Sequence, residues 1–342
     1  MPVKKKKTSK TPPTRARKPA PSVRTFQLIG PRTAPARTPP PFSKLFQEER
    51  SMRAQVDQDR AQRYRSYLEQ VQAPMEAPGR GIALRAAAPV AAKRPLRILA
   101  EGDSWFDYPL PWPDGDGVIT QLQDLLGYSI ANMAHYGLEV QQMMGLSIRQ
   151  EIIKRLKDSQ VKWDALLFSG GGNDLVGDRL CIWLKETPPV PTPSNMLNPA
   201  AVSAALSMLE AEFRELVALR DQYSPQTVIF VHGYDFPPVT GKRVCGKGPW
   251  LKPSLDYAYQ QMGVAHPDPN DEFVVVKTLL QQFNAMLAHV QSDPMVKEFQ
   301  VVPTQGALTP DNSDWQNEIH PSTTGFVKIA KRFQASLAAV FP

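Results

Sequence analysis

Two observations in this sequence predict an α/β fold with a parallel sheet and helices on both faces. Short apolar runs alternate with segments of helical period along the last 250 or so residues, the order that βαβ units require. The unusual turns, rich in Gly, Asp, Asn and His, fall just after those runs, where a parallel sheet carries its functional loops.

The elements follow in order. Leu96 to Ala100 is a short apolar run behind Pro95 and reads as the first buried strand, leading into Glu101-Gly102-Asp103-Ser104-Trp105-Phe106. Val118 to Leu126 has helical period, and Tyr128 to Ala134 reads as a second strand ending near His135-Tyr136-Gly137. A helix near Ile148 to Leu156 precedes the strand Ala165 to Phe168, which ends in Ser169-Gly170-Gly171-Gly172-Asn173-Asp174. A helix over Pro199 to Tyr223 leads to the strand Thr227 to Val231. Residues 237–270 carry prolines and glycines and show no period. A helix from Asp271 to Val290, a last strand Gln300 to Val302 and a closing helix Thr323 to Val340 complete the body.

Three regions precede or make up that body. Residues 1–44 hold twelve Lys or Arg, no Asp or Glu and ten of the 34 prolines. Such a segment buries too little to offset its ordering entropy and reads as a disordered basic tail. The remaining 298 residues carry 28 basic and 33 acidic side chains, so a mildly acidic body bears the basic tail. Residues 45–94 read as an amphipathic helix, with Met52, Val56, Tyr64, Tyr67, Leu68 and Val71 at helical spacing, followed by an Ala/Pro/Gly linker. Residues 95–342 form the α/β domain. The tail suits contact with an anionic surface by charge alone, with a solubilising role the plain alternative; the body carries no nucleic-acid motif.

Composition excludes other classes. No apolar run approaches the roughly 20 residues that span a bilayer. Lys4 to Lys7 imitate the charged start of a signal peptide, but no apolar stretch follows. The cytoplasm, or delivery by a non-classical route, is therefore expected. Cys181 and Cys245, the only cysteines, imply neither a disulfide framework nor a cysteine metal site, and the histidines lack metal-ligand spacing. Gly241 to Gly248 nearly spells a phosphate-binding loop but lacks the Ser or Thr that would hold magnesium.

Four turns at one sheet edge offer a hydroxyl, a glycine amide, a carboxamide and an imidazole. Acyl transfer uses that set: Ser104 to attack, and His320 to take its proton and return it to the leaving group. Asp103 or Ser104 as a helix cap is the plain alternative. The blocks Gly102-Asp103-Ser104, Gly137, Gly171-Gly172-Asn173-Asp174 and His320 resemble, in order, those of the SGNH (GDSL-type) hydrolase superfamily. The resemblance covers residues 95–342. It implies a three-layer α/β/α sandwich with a flavodoxin-like sheet, and cofactor-free cleavage of a carboxylic ester: a lipid acyl ester, a lysophospholipid or an O-acetyl group. It also implies an oxyanion hole formed by Ser104, Gly137 and Asn173.

One position departs from the family pattern. Asn317 stands three residues before His320, where the family has Asp; Asp314 and Glu318 are nearby carboxylates, and Asp314 is taken as the helper. The departure leaves open a catalytically weak or inactive protein that binds an acylated or glycan ligand. Trp105, Phe106, Tyr108 and Trp112, with the loop 237–270, are expected to line the substrate pocket.

Overall fold

The computed structural model describes residues 41–72, 94–108, 117–185, 192–243 and 247–342. The helices are α1 (Pro41–Gln72), α2 (Val118–Leu126), α3 (Val140–Met143), α4 (Leu146–Leu156), α5 (Gly172–Leu175), α6 (Leu180–Trp183), α7 (Pro199–Tyr223), α8 (Lys252–Gln261), α9 (Pro269–Ser292) and α10 (Thr323–Val340). The strands are β1 (Ile98–Gly102), β2 (Ala131–Asn132), β3 (Ala165–Ser169), β4 (Val228–His232) and β5 (Phe299–Val302).

The five strands form one parallel sheet in the order β2-β1-β3-β4-β5. Every residue of β1, β3 and β4 is buried, which is why these segments read as unbroken apolar runs rather than alternating ones. Right-handed crossovers set the layers. The chain moves one way from β1 to β2 and the other way from β2 onward, so α2 and the later crossover helices take opposite faces. Accordingly α10 packs on α2, while α7 packs on both α4 and α9. The result is a three-layer α/β/α sandwich.

The direction change lies between β1 and its two neighbours, so the loop after β1 opens at the switch point of the sheet, where such folds bind ligands. Gly102 ends β1 there. A Cβ on it would lie 2.7 Å from the carbonyl oxygen of Ser169, so β1 and β3 could not close up beside it with any other residue.

Several boundaries differ from the sequence reading. β2 is two residues long rather than seven, as an edge strand with a single partner allows. Helix α8 lies inside the stretch that shows no sequence period. Helix α1 begins at Pro41, so residues 41–44 belong to it and not to the tail. The rest of the tail, the linker up to residue 93, Trp112 and Cys245 lie outside the described residues. Among the described residues no helix is long and apolar enough to cross a membrane.

Of residues 1–51 the structure describes only the start of α1. From residue 52 on, α1 packs within the body. Tyr67 stacks on Trp163 with ring centroids 5.7 Å apart, and Tyr64 donates to Asp158 at 2.7 Å. Arg60 donates to Glu101, and both side chains are buried. Removing Arg60 would strand a buried carboxylate on β1, a loss of about 3–5 kcal/mol for pairs of this kind.

Candidate active site

Ser104 sits in the turn that follows β1. Asp103 shapes that turn from beneath: its Oδ1 accepts the Trp105 amide at 3.0 Å, and its own amide donates to the Ser169 carbonyl at 3.1 Å. Ser104 is itself buried, and Phe106 packs into the core.

His320 arrives from the loop before α10. Its Nε2 lies 2.8 Å from the Ser104 Oγ, across 216 positions of sequence. On the far side of the ring, Nδ1 lies 3.1 Å from Asn317 Oδ1. That Asn317 atom also accepts the backbone N–H groups of Ile319 and His320, at 3.0 and 3.1 Å. Two backbone donors identify the atom as the amide oxygen. An oxygen can only accept, so Nδ1 carries the imidazole proton and Nε2 offers its lone pair to the serine. Asn317 Nδ2 in turn donates to the Tyr108 hydroxyl at 3.3 Å, and Tyr108 donates to Gln316. Burial, with no carboxylate against the ring, pushes the His320 pKa down to about 3.

Asp314 does not serve His320. Its oxygens are held by Lys328 Nζ at 2.6 and 2.8 Å and by the Thr309 amide and hydroxyl. Burial alone would raise its pKa, but Lys328 and Thr309 outweigh that and hold the carboxylate below its ordinary value. Glu318 is also turned away. Fully buried, it accepts the amides of Gly241, Trp250, Leu251 and Lys252 at 2.7 to 3.2 Å. It thus ties the loop after β4, and the first turn of α8, to the loop that carries His320. The Trp250 ring stands perpendicular to the His320 ring at 5.7 Å, and the Tyr108 ring lies 4.7 Å from it.

Asn173 reaches the same place from the turn after β3. Gly171, at φ +105, makes the bend that only glycine adopts readily there. The Asn173 side chain donates to the Leu138 carbonyl at 2.8 Å and, with Ser104, lines a small cavity. An amide nitrogen carries two hydrogens and Leu138 takes one. Gly137 is exposed at φ +80 on the loop after β2 and is not among the residues that line this cavity.

Of the expected pocket residues, Trp105 lines the cavity and donates from its indole nitrogen to the Ile319 carbonyl at 2.9 Å. Phe106 does not: it is buried against His232 and Phe333, so it belongs to the core. Tyr108 supports the His320–Asn317 pair. Asp235 lines the cavity while holding the Phe236, Gly306 and Leu308 amides at 2.7 Å.

A second polar cluster, missed from the sequence, lies directly below. Tyr234 and Ser169 both donate to Asp103, and His232 Nε2 lies 2.9 Å from Ser169 Oγ. All four side chains are buried. Only their position at or just after the ends of strands β1, β3 and β4 could have hinted at it.

No protein-family model and no curated protein matches the chain. Among solved structures, it is similar to a lipase from a goat rumen metagenome, at 17% identity over 70% of this chain and 97% of that one, with a TM-score of 0.45. It is also similar to phospholipase A1 from Streptomyces albidoflavus, at 13% identity over 71% and 99% with a TM-score of 0.45. A family 3 carbohydrate esterase from Clostridium thermocellum gives 17% identity over 72% and 96%, with a TM-score of 0.39.

Proposed function

We propose that this chain hydrolyses a carboxylic ester, with Ser104 as nucleophile and His320 as general base and acid. The observation that carries the reading is the 2.8 Å contact between Ser104 Oγ and His320 Nε2, in a tautomer that leaves Nε2 free to accept. As Oγ attacks the carbonyl carbon, its proton passes to Nε2. The tetrahedral oxyanion is stabilised by Asn173, with the Ser104 amide as a second donor; one such donor is typically worth about 3 kcal/mol. Collapse breaks the bond to the alcohol oxygen, which leaves with the proton from Nε2. Water then repeats the sequence on the acyl-serine.

Asn317 orients the imidazole but brings no charge to stabilise the imidazolium. The reading therefore includes slow turnover. A protein of this fold that binds an acylated or glycan ligand without cleaving it is the competing reading, and the neutral Asn317 favours it.

Purified protein treated with a serine-reactive phosphonate and assayed on p-nitrophenyl acetate separates the two. Hydrolysis of the ester, with label recovered on Ser104, supports the enzyme. Neither turnover nor label leaves the binding protein.

A further inference from the structure

The cavity beside Ser104 is small. Its volume is about 40 Å³; Asp103, Ser104, Asn173 and Asp235 are among its polar residues, and Trp105, Val176, Leu280 and Trp315 among its apolar ones. His320 is not among its walls. In an acyl transfer the alcohol leaves past the group that protonates it, so the alcohol lies on the His320 side. The oxyanion points to Asn173. What remains for the acyl chain is this cavity.

From that arrangement, and resting on the ester-hydrolase reading, we infer that the acyl group is acetyl or little larger. A water-sized group needs roughly 10–15 Å³ of such volume. The space therefore holds about three heavy atoms, which is the methyl of an acetyl group with room for one or two carbons more. Lengthening is opposed by rigid walls. Trp105 and Trp315 are almost fully buried, with ring centroids 6.1 Å apart, and the Trp105 indole is pinned to Ile319. Leu280, on α9, and Val176, just after α5, are the aliphatic walls that can be cut back without breaking a hydrogen bond of the site.

The test is a p-nitrophenyl series of acetate, butyrate and octanoate on the full chain. A methylene that does not fit costs roughly tenfold or more in kcat/KM, so at least a 100-fold fall from acetate to octanoate is expected. Leu280→Ala is expected to raise the octanoate-to-butyrate ratio about tenfold. Val176→Ala, at a half-buried position, is expected to move it the same way and guards against misfolding of the first variant. Octanoate turned over as fast as acetate by the unaltered chain overturns the size limit and leaves the ester reading intact. An unchanged chain-length profile in both folded variants overturns the assignment of these walls. No turnover of any ester, and no phosphonate label on Ser104, overturns both readings together.

Discussion

Two serine–histidine pairs stand one above the other in this molecule, and they are nearly matched. Ser104 and His320 are 2.8 Å apart, Ser169 and His232 are 2.9 Å apart, and burial pushes both imidazoles down to about 3. They differ in which way the hydrogen bond runs. The Nδ1 of His320 faces an amide oxygen and must donate, so its Nε2 accepts from Ser104. The Nδ1 of His232 receives the Tyr234 backbone N–H at 3.3 Å, so its Nε2 must donate to Ser169. Ser169 then gives its own proton to Asp103 at 2.7 Å. One serine is poised to lose a proton to its histidine; the other is held as a link in a buried chain. Residue types and distance do not distinguish the two. The neighbour on the far ring nitrogen does.

That contrast is broken most sharply by removing each hydroxyl in turn. Ser104→Ala is expected to lower kcat on p-nitrophenyl acetate by about 10⁴-fold or more, as loss of a nucleophile does elsewhere, with the melting temperature almost unchanged. Ser169→Ala removes one hydrogen bond from a buried carboxylate and takes away the acceptor of the His232 Nε2–H. It is expected to lower kcat by less than about tenfold and stability by about 1–3 kcal/mol. Calorimetry beside the ester assay reads both. Equal losses of activity in the two variants would end the distinction.

The sequence made the frame of this comparison legible and hid its details. Helices α2, α7 and α10 begin and end where their apolar periods do, because each covers the sheet with one apolar stripe. Ser104, Asn173 and His320 were legible as residues of turns, since a parallel sheet collects such turns at one edge. What local pattern could not say was who claims a polar group from afar. Three side chains near His320 looked able to assist it. Lys328 takes Asp314 and the loop after β4 takes Glu318, which leaves Asn317. The start of α8 was invisible for the same reason, because its first amides are satisfied by Glu318, 66 residues away. Nor does adjacency to Ser104 say that Trp105 faces the cavity and Phe106 the core.

A smaller effect, of opposite sign, is expected from Asn317→Asp. The carboxylate would keep the acceptor that fixes the His320 tautomer and add the missing charge. A carboxylate beside a histidine favours its charged form, so kcat is expected to rise by about tenfold. The pH profile sharpens the test. With His320 lowered to about 3, the unaltered protein should keep the base neutral, and kcat/KM level, from pH 8 down to about 5. In the variant the acid limb should move up toward the ordinary histidine range. A limb already near 6.5 in the unaltered protein would mean that His320 is not held neutral by burial.

The smallest effect on activity belongs to His232→Gln, whose amide can still donate to Ser169; kcat should change by less than it does in Ser169→Ala. Its signature lies in stability against pH. An unfolded histidine titrates near 6.5, whereas folded His232 is held to about 3 by burial. Between those values the unfolded chain binds the extra proton. The neutral His232 therefore contributes stability that is fully present above pH 6.5 and is lost as the pH falls, by up to about 1.4 kcal/mol per pH unit. Glutamine has nothing to lose in that window, and the remaining titrating groups are common to both proteins. The stability gap between them, measured by urea denaturation, should accordingly narrow from pH 6.5 to 4.5. A gap of constant size would mean that His232 is protonated in the folded protein, and the direction of the hydrogen bond to Ser169 would no longer separate the two pairs.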